Sequence, residues 1–495
     1  MIRASRTGVN SMNPLNHTSL SGRLKRGTLA IVCLATMMLL LDIAVVNLAL
    51  PSVSRDLHAG LSGVQWVIDA YTLTLAALVL SAGSTADRRG RRLVFATGMV
   101  VFTAASLGCA LAGSVAFLDG ARAVQGVGGA LMFASSLAIL ADAFPEPRER
   151  ARAMAAYGAT IGASIAIGSV LGGGLTSWLG WRAVFFINVP LGVLALLGTF
   201  TWVRESRERH ARRLDWPGQT TAAAGMLLLV TALLRGNTDG WTSARTLIEL
   251  GGAAAMALSF IVIERRVASP MLPPGMFKRR DFTAAQLAAF AISSTFFAVY
   301  LYITLYLQDV IGLSPIQSGL TYLPGTLLLF VVSGASAKLS ERIAPAALLG
   351  AALTMVAGGL ALLTLTGTHS SWVVTLPGML LAAAGTGIFN PTVAALALSA
   401  GPAGSSGLLS GVNDAARQGG IAVGVAVLGA LVPAGAALGH GSPSAYVTGL
   451  HHAVILAAVI AATGAAAVVA LLGAGQTRKR RVPARHVLKP ANKAA

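Results

Sequence analysis

Fourteen apolar runs, each long enough to cross a bilayer, recur along this 495-residue chain and leave little between them. They lie at about 29–50, 64–82, 93–113, 115–141, 153–175, 183–203, 218–234, 247–263, 283–307, 318–337, 345–366, 372–398, 409–432 and 452–473. A helix rises about 1.5 Å per residue and the hydrocarbon core is about 30 Å thick, so about 20 apolar residues span it. The expectation is an all-α integral membrane protein. Soluble domains of this length are not 55% hydrophobic and 11% charged, with a mean hydropathy of +0.71. No connection has room for a folded soluble domain.

The formal charge of +19 raises the possibility of a nucleic-acid partner, and its distribution answers it. Of the 37 lysines and arginines, 32 fall in alternate connections and in the two tails. The opposite connections carry Arg55, Arg182, Arg235 and Arg245. This is the asymmetry of a membrane protein whose basic side is cytoplasmic, so a nucleic-acid partner is not needed. Both termini are expected in the cytoplasm. The basic tail Arg478–Lys493 reads as a solvated anchor near anionic lipid. Cys33 and Cys109 lie in apolar runs without ligand spacing, so no metal and no disulfide framework are expected. The eight histidines lie mostly in loops or tails, and no Walker-type phosphate loop occurs. The reading is of a protein that is not an enzyme, uses no cofactor and has the lipid bilayer as its surroundings.

Leu29–Leu50 is uncharged except for Asp42. An ionised Asp at mid-membrane costs about 2.5–3.5 kcal/mol, so it faces a protein interior or a wet cavity and has a partner. Arg122, inside the fourth run, needs a partner for the same reason. Counting rise from the proposed outer ends puts Asp42 roughly 12 Å, Asp69 roughly 8 Å and Arg122 roughly 10 Å deep. One depth suggests one cluster, a proton or substrate site, with a permanent structural ion pair as the alternative. The fifth run carries Gly158, Gly162, Gly168, Gly172 and Gly173 at small-residue spacing, which gives a helix a flat face for close packing or sliding.

Gly83-Ser-Thr-Ala-Asp87-Arg88-Arg89-Gly90-Arg91-Arg92 follows the second run, an acid and arginines between glycines that read as a tight turn. It resembles the loop signature of the major facilitator superfamily. Leu118-Asp-Gly-Ala-Arg122-Ala-Val-Gln125-Gly126 in the fourth run is a second match. Leu41-Asp42-Ile-Ala-Val-Val-Asn47-Leu-Ala-Leu-Pro51, Trp181–Gly192, Leu307–Pro315 and Asn413–Gly420 are similar to signatures of the fourteen-span drug:proton antiporter branch, often called the EmrB/QacA type.

The resemblance implies a major facilitator fold of two six-helix bundles plus two additional central spans. It divides the chain into a basic N-terminus 1–28, a first bundle 29–203, a linker 204–281 with two transmembrane helices, a second bundle 282–473 and a basic tail 474–495. It implies a cargo cavity between rocking halves and a cytoplasmic gate at Gly83, Asp87, Arg88, Gly90 and Arg91. Coupling falls to Asp42, Asp69 and Arg122. The cavity candidates are Asn47, Gln125, Tyr302, Tyr306, Asn413 and Gln418, the two tyrosines because they share a helical face. The glycines of the fifth run match the antiporter motif, except that Ser169 stands where that motif has proline. The expected function is proton-coupled export of small amphiphilic, often cationic drugs or antibiotics across a bacterial inner membrane, by a monomer. The alternative is export of one endogenous metabolite, such as a siderophore or a self-made antibiotic. Trp66, Tyr71, Trp178 and Trp181 read as interfacial aromatics, Gln308 as a cap and Arg417 as a surface anchor.

Overall fold

In the computed structural model the described residues are 22–207, 215–267, 270–339, 342–399, 406–433, 436 and 442–480. Residues 1–21 of the expected basic N-terminus and 481–495 of the expected basic tail lie outside them. The first half comprises α1 (Gly22–Leu57), α2 (Leu61–Arg89), α3 (Arg91–Ala110), α4 (Val115–Ala143), α5 (Pro147–Leu179) and α6 (Ala183–Trp202). Two helices follow, α7 (Trp216–Asp239) and α8 (Ala244–Arg266). The second half comprises α9 (Arg280–Val310), α10 (Pro315–Leu339), α11 (Pro345–Leu362), α12 (Leu376–Ser399), α13 (Ser406–Gly429) and α14 (Pro443–Arg480). Among the described residues there is no strand.

Thirteen of these segments are long and apolar enough to cross a membrane. The remaining one, α13, has the length but carries Asn413, Asp414, Arg417 and Gln418 within two turns, which lowers its hydropathy. Several helices outrun their apolar stretches, because charged helix-forming residues extend a turn into the interface without breaking the backbone ladder. Thus α1 has 36 residues, and α2 continues through Asp87 and Arg88 to Arg89. The turn expected over Gly83–Arg92 contracts to one residue, Gly90, at φ +116°. That conformation favours glycine, and an added Cβ there would also stand 2.7 Å from the Glu205 carboxyl group. Other ends are set by side-chain caps: Ser114 accepts from the Phe117 amide, Asp215 from Gly218 and Ser243 from Thr246.

The halves meet at two seams related by position. The second helix of the first half, α2, packs on the fifth of the second half, α13, while the fifth helix α5 packs on α10. The α7–α8 hairpin covers the first of these seams. Met226, Val230, Leu233 and Leu234 of α7 lie with Trp66, Leu73, Ala422 and Ala426. Gln219 bonds the Ala77 carbonyl and the Ser81 hydroxyl of α2.

Glycine sets the approach at the second seam. A methyl added at Gly173 meets the Pro315 carbonyl oxygen at 2.5 Å, and one added at Gly319 meets that of Ser169 at 2.2 Å. Gly162 faces Phe330 across the same seam at 3.1 Å, whereas Gly168 and Gly172 bring α5 onto Ala44 and Val45 of α1. Gly158 has nothing within 4 Å. Overpacking of this kind costs about 1–3 kcal/mol. Gly319→Ala is therefore expected to lower the melting temperature of the purified protein by several degrees, and Gly158→Ala to leave it unchanged or raised, since alanine favours the helix. Equal shifts in differential scanning fluorimetry for the two variants contradict a glycine-dependent seam.

Candidate functional site

Asp42 lies in the middle of α1 and Arg122 near the start of α4, both fully enclosed. The Arg122 Nη1 donates to Asp42 Oδ2 at 2.5 Å and to Gln125 Oε1 at 2.7 Å. Its Nε donates to the Val67 carbonyl of α2 at 2.9 Å. The Gln125 amide donates to Asp42 Oδ1 at 2.9 Å and to the Ser106 hydroxyl of α3 at 2.8 Å. Asn188 of α6 donates to the same Asp42 oxygen at 3.0 Å. Five helices thus converge on one carboxylate and one guanidinium. The Tyr71 ring faces the guanidinium carbon at 4.4 Å, so Tyr71 is a buried ring over a cation and not an interfacial aromatic.

Hydrogen bonds serve both Asp42 oxygens and the Nε and Nη1 of Arg122. A buried pair gains from the low dielectric only when hydrogen bonds serve its remaining atoms, and removal of one partner leaves a stranded charge costing about 3–5 kcal/mol. Asp69 is also buried, but neither carboxylate oxygen has a hydrogen-bond partner and it stands outside the Asp42–Arg122 network. Of the three acids and bases expected together, two are in direct contact. Ser106 and Asn188 were not among the expected site residues, although Asn188 interrupts an apolar span as conspicuously as Gln125 does.

On either side of Asp42 along α1, the Leu40, Ile43, Ala44 and Asn47 side chains form part of the wall of a cavity between the halves. It encloses about 1510 Å³, its open mouth included. Phe133, Ile161, Ile165, Phe297, Tyr300, Tyr322 and Leu329 line it, with Asp414, Arg417, Gln418, Ile421 and Val425 from α13. Of the six cavity candidates, Asn47 and Gln418 line it. Gln125 belongs to the ion-pair network, and Asn413 donates to Gln286 at 3.3 Å. Tyr306 donates to the Gly367 carbonyl at 2.7 Å, and Tyr302 bonds Gln65 at 2.8 Å and the Val425 carbonyl. The lining tyrosines are Tyr300 and Tyr322, whose ring centres are 4.1 Å apart. Arg417 is therefore a cavity residue.

Beyond one end of this cavity, hydrogen bonds cross between the halves. Gln65 of α2 reaches Tyr302 and the Val425 carbonyl, and Gln308 donates to the Leu48 carbonyl at 3.0 Å. The Ile316 amide donates to Ser177 at 3.0 Å, and Ser169 shares a hydrogen bond with Tyr300 at 3.1 Å. Gln308, expected as a cap, is a buried strut of this seal.

At the opposite end Asp87 accepts from Arg91 at 2.9 Å within the same loop. Arg88 is exposed. Glu205, following α6, accepts from the Arg92 and Leu93 amides at 3.0 and 3.1 Å, so a carboxylate caps the start of α3. Among the described residues no group of three or more His, Cys, Asp and Glu side chains is placed to hold a metal ion.

Two helical bundles around a central cavity, with buried charge in the wall of one bundle, define a multi-pass membrane carrier. The chain belongs to the Major Facilitator Superfamily, whose family model matches residues 32–425. It is 37% identical over 410 residues to the multidrug resistance protein Stp of Mycobacterium tuberculosis, covering 82% of this chain and 76% of that one. It is 35% identical over 425 residues to the tetracenomycin C resistance and export protein of Streptomyces glaucescens, covering 84% and 78%. A puromycin resistance protein of Streptomyces alboniger is 36% identical, with 88% of both chains covered. The fold is that of a bacterial homolog of the human lysosomal transporter Spinster, solved inward-facing and unoccupied. The TM-score is 0.65, with 16% identity and 92% and 98% of the two chains covered. A peptide transporter, POT, has a TM-score of 0.63 at 16% identity over 90% of this chain and 95% of that one.

If Asp42 and Arg122 stabilise the first half as a unit, Arg122→Gln alone is expected to cost about 3–5 kcal/mol. The double variant Asp42→Asn/Arg122→Gln should recover more than half of that, because neither charge is left stranded. Unfolding midpoints of the two single variants and the double variant in detergent measure this, and strict additivity contradicts the pairing.

Proposed function

We propose that the protein is a proton-coupled antiporter of fourteen spans that exports small amphiphilic compounds across a bacterial inner membrane, both termini in the cytoplasm, acting as a monomer. The observation that carries the reading is the fully buried Asp42–Arg122 pair on the same stretch of α1 that lines the cavity. Protonation of Asp42 removes the charge on which Arg122, Gln125 and Asn188 converge, and so loosens α1 against α4 and α6. Deprotonation draws them together again. Since α1 also carries Leu40, Ile43, Ala44 and Asn47 of the wall, the proton changes the shape of the cavity through one segment. Asp69, with both oxygens unbonded, is the second acid available to the proton or to Arg122.

Orientation follows from the basic connections, which place the Gly83–Arg92 end in the cytoplasm. The seal of Gln65, Tyr302, Gln308, Leu48, Ser177 and Ile316 then lies on the outer side, and the state is the one that receives cargo from inside. Gly83, Asp87, Arg88, Gly90 and Arg91 are the gate of that side. The glycine seams at Gly173 and Gly319 give the halves smooth surfaces for rocking, and a mostly apolar wall suits an amphiphile. The names of relatives support export of drugs or antibiotics. Several, such as the methylenomycin A resistance protein of Streptomyces coelicolor, are each named for one compound, which favours the single-metabolite alternative as a second reading.

In everted vesicles matched for the amount of inserted protein, Asp42→Asn is expected to abolish proton-driven accumulation of a fluorescent drug. Unchanged accumulation removes Asp42 from the coupling. Compounds that dissipate a preset proton gradient through the wild-type protein, whether many or one, separate a broad exporter from a dedicated one.

A further inference from the structure

The cavity has a polar face, and it comes from one helix. Asp414, Arg417, Gln418, Ile421 and Val425 line it from α13 at the three-to-four-residue spacing of a single side. Most of the remaining wall is aliphatic or aromatic, and Asn47 brings a further amide from α1. The Arg417 guanidinium carbon lies 5.8 Å from the centre of the Phe297 ring. Among the described residues Arg417 makes no hydrogen bond or ion pair, and Asp414, one turn before it, makes none either. Arg122 and Arg235, in contrast, are held by Asp42 and Glu249.

A guanidinium is a fork of donors that fits a carboxylate two bonds at a time. Its charge has Asp414 and the Phe297 ring as neighbours, but its donors are unbonded, an arrangement that a ligand bearing an anion completes. Asn47 is 6% exposed and its carbonyl oxygen has no donor; the Gln418 carbonyl oxygen is likewise unbonded. Both residues line the same space.

Resting on the reading of this cavity as the cargo site, we propose that the α13 face selects amphiphiles carrying an acidic group. Arg417 receives the anion, and the ligand's ring system lies against Phe297 and Tyr300. Asp414 offers a partner to a basic group on the same molecule, so zwitterions are favoured over simple cations. This differs from the cationic preference expected of the sequence, and it gives Arg417 a role in specificity.

The test is equilibrium binding to the purified full-length protein in detergent, without a membrane or a proton gradient. The probes are rhodamine B, which has a free carboxylate, and its ethyl ester, which has the same rings and no acid. Fluorescence anisotropy of the wild type is expected to show about tenfold tighter binding of the acid, the gain of one charge-assisted pair. In Arg417→Gln the acid should lose about tenfold and the ester stay within about twofold, whereas Arg417→Lys, a point charge without the fork, should lie between. Equal or tighter binding of the ester by the wild type overturns the proposal, as does equal weakening of both dyes in Arg417→Gln or binding of neither. Where Arg417→Gln is not monodisperse on gel filtration, the wild-type ratio and Arg417→Lys decide. Loss of proton coupling in vesicles sinks the antiport reading and leaves this preference standing, so the two failures are told apart.

Discussion

The first half of this protein is organised around a salt bridge that no water reaches. Asp42 and Arg122 cost several kcal/mol each to bury, and that cost is offset by Gln125, Asn188 and the Val67 carbonyl, which bond Asp42 Oδ1 and Arg122 Nη1 and Nε, while Ser106 accepts from Gln125. An apolar pair of the same volume would hold five helices together without demanding such company. What the ionic pair adds is sensitivity to a change of charge at a single carboxylate. Its position on α1, between the cavity-lining Leu40 and Ile43, puts that sensitivity next to the place where cargo would sit.

The second constraint is contact distance. Lipid-embedded helices gain little from the hydrophobic effect and depend on close packing, which small residues allow. In this chain the glycines of α5 serve two neighbours at once, α1 within the half and α10 across the seam. Ser169 illustrates the balance. Its hydroxyl shares a hydrogen bond with Tyr300, while its carbonyl oxygen is the atom that an added methyl at Gly319 would strike. A side chain where related motifs have proline thus makes a cross-seam contact.

Much of this was legible in the residues and some was not. Spans announce themselves by apolar length, and Asp42 and Arg122 by being charges where charge is expensive, so the helix order and the central pair followed from counting rise along each run. α13 is the exception on both counts: the four polar residues that lower its hydropathy include the ones that bring charge into the cavity. Which face of α9 lines the cavity was beyond periodicity. That helix contains two π-turns, Ser293–Phe297 and Tyr306–Val310, each of which shifts the helical phase by about one residue. Tyr300 and Tyr302 both lie in the regular stretch Ala298–Leu305 between those turns, and packing puts Tyr300 on the cavity while Tyr302 and Tyr306 bond elsewhere. Asp69 shared a depth with the pair but not its network, since depth fixes one coordinate and packing fixes the others. The cap at Glu205 was hidden for another reason, its contact with Arg92 being made across more than a hundred residues.

The hairpin between the halves is attached unevenly. On α2 it is held by directional bonds from Gln219, which lose their energy if displaced by an ångström or two. Towards α13 it presents Met226 and aliphatic side chains to Gly419, Ala422 and Ala426, a greasy surface whose attraction scarcely depends on register. Should the two halves tilt as proposed, this attachment would carry α7 with the first and let it slide over the second. The segment that joins the halves in sequence would then be a passenger on one and a bearing for the other.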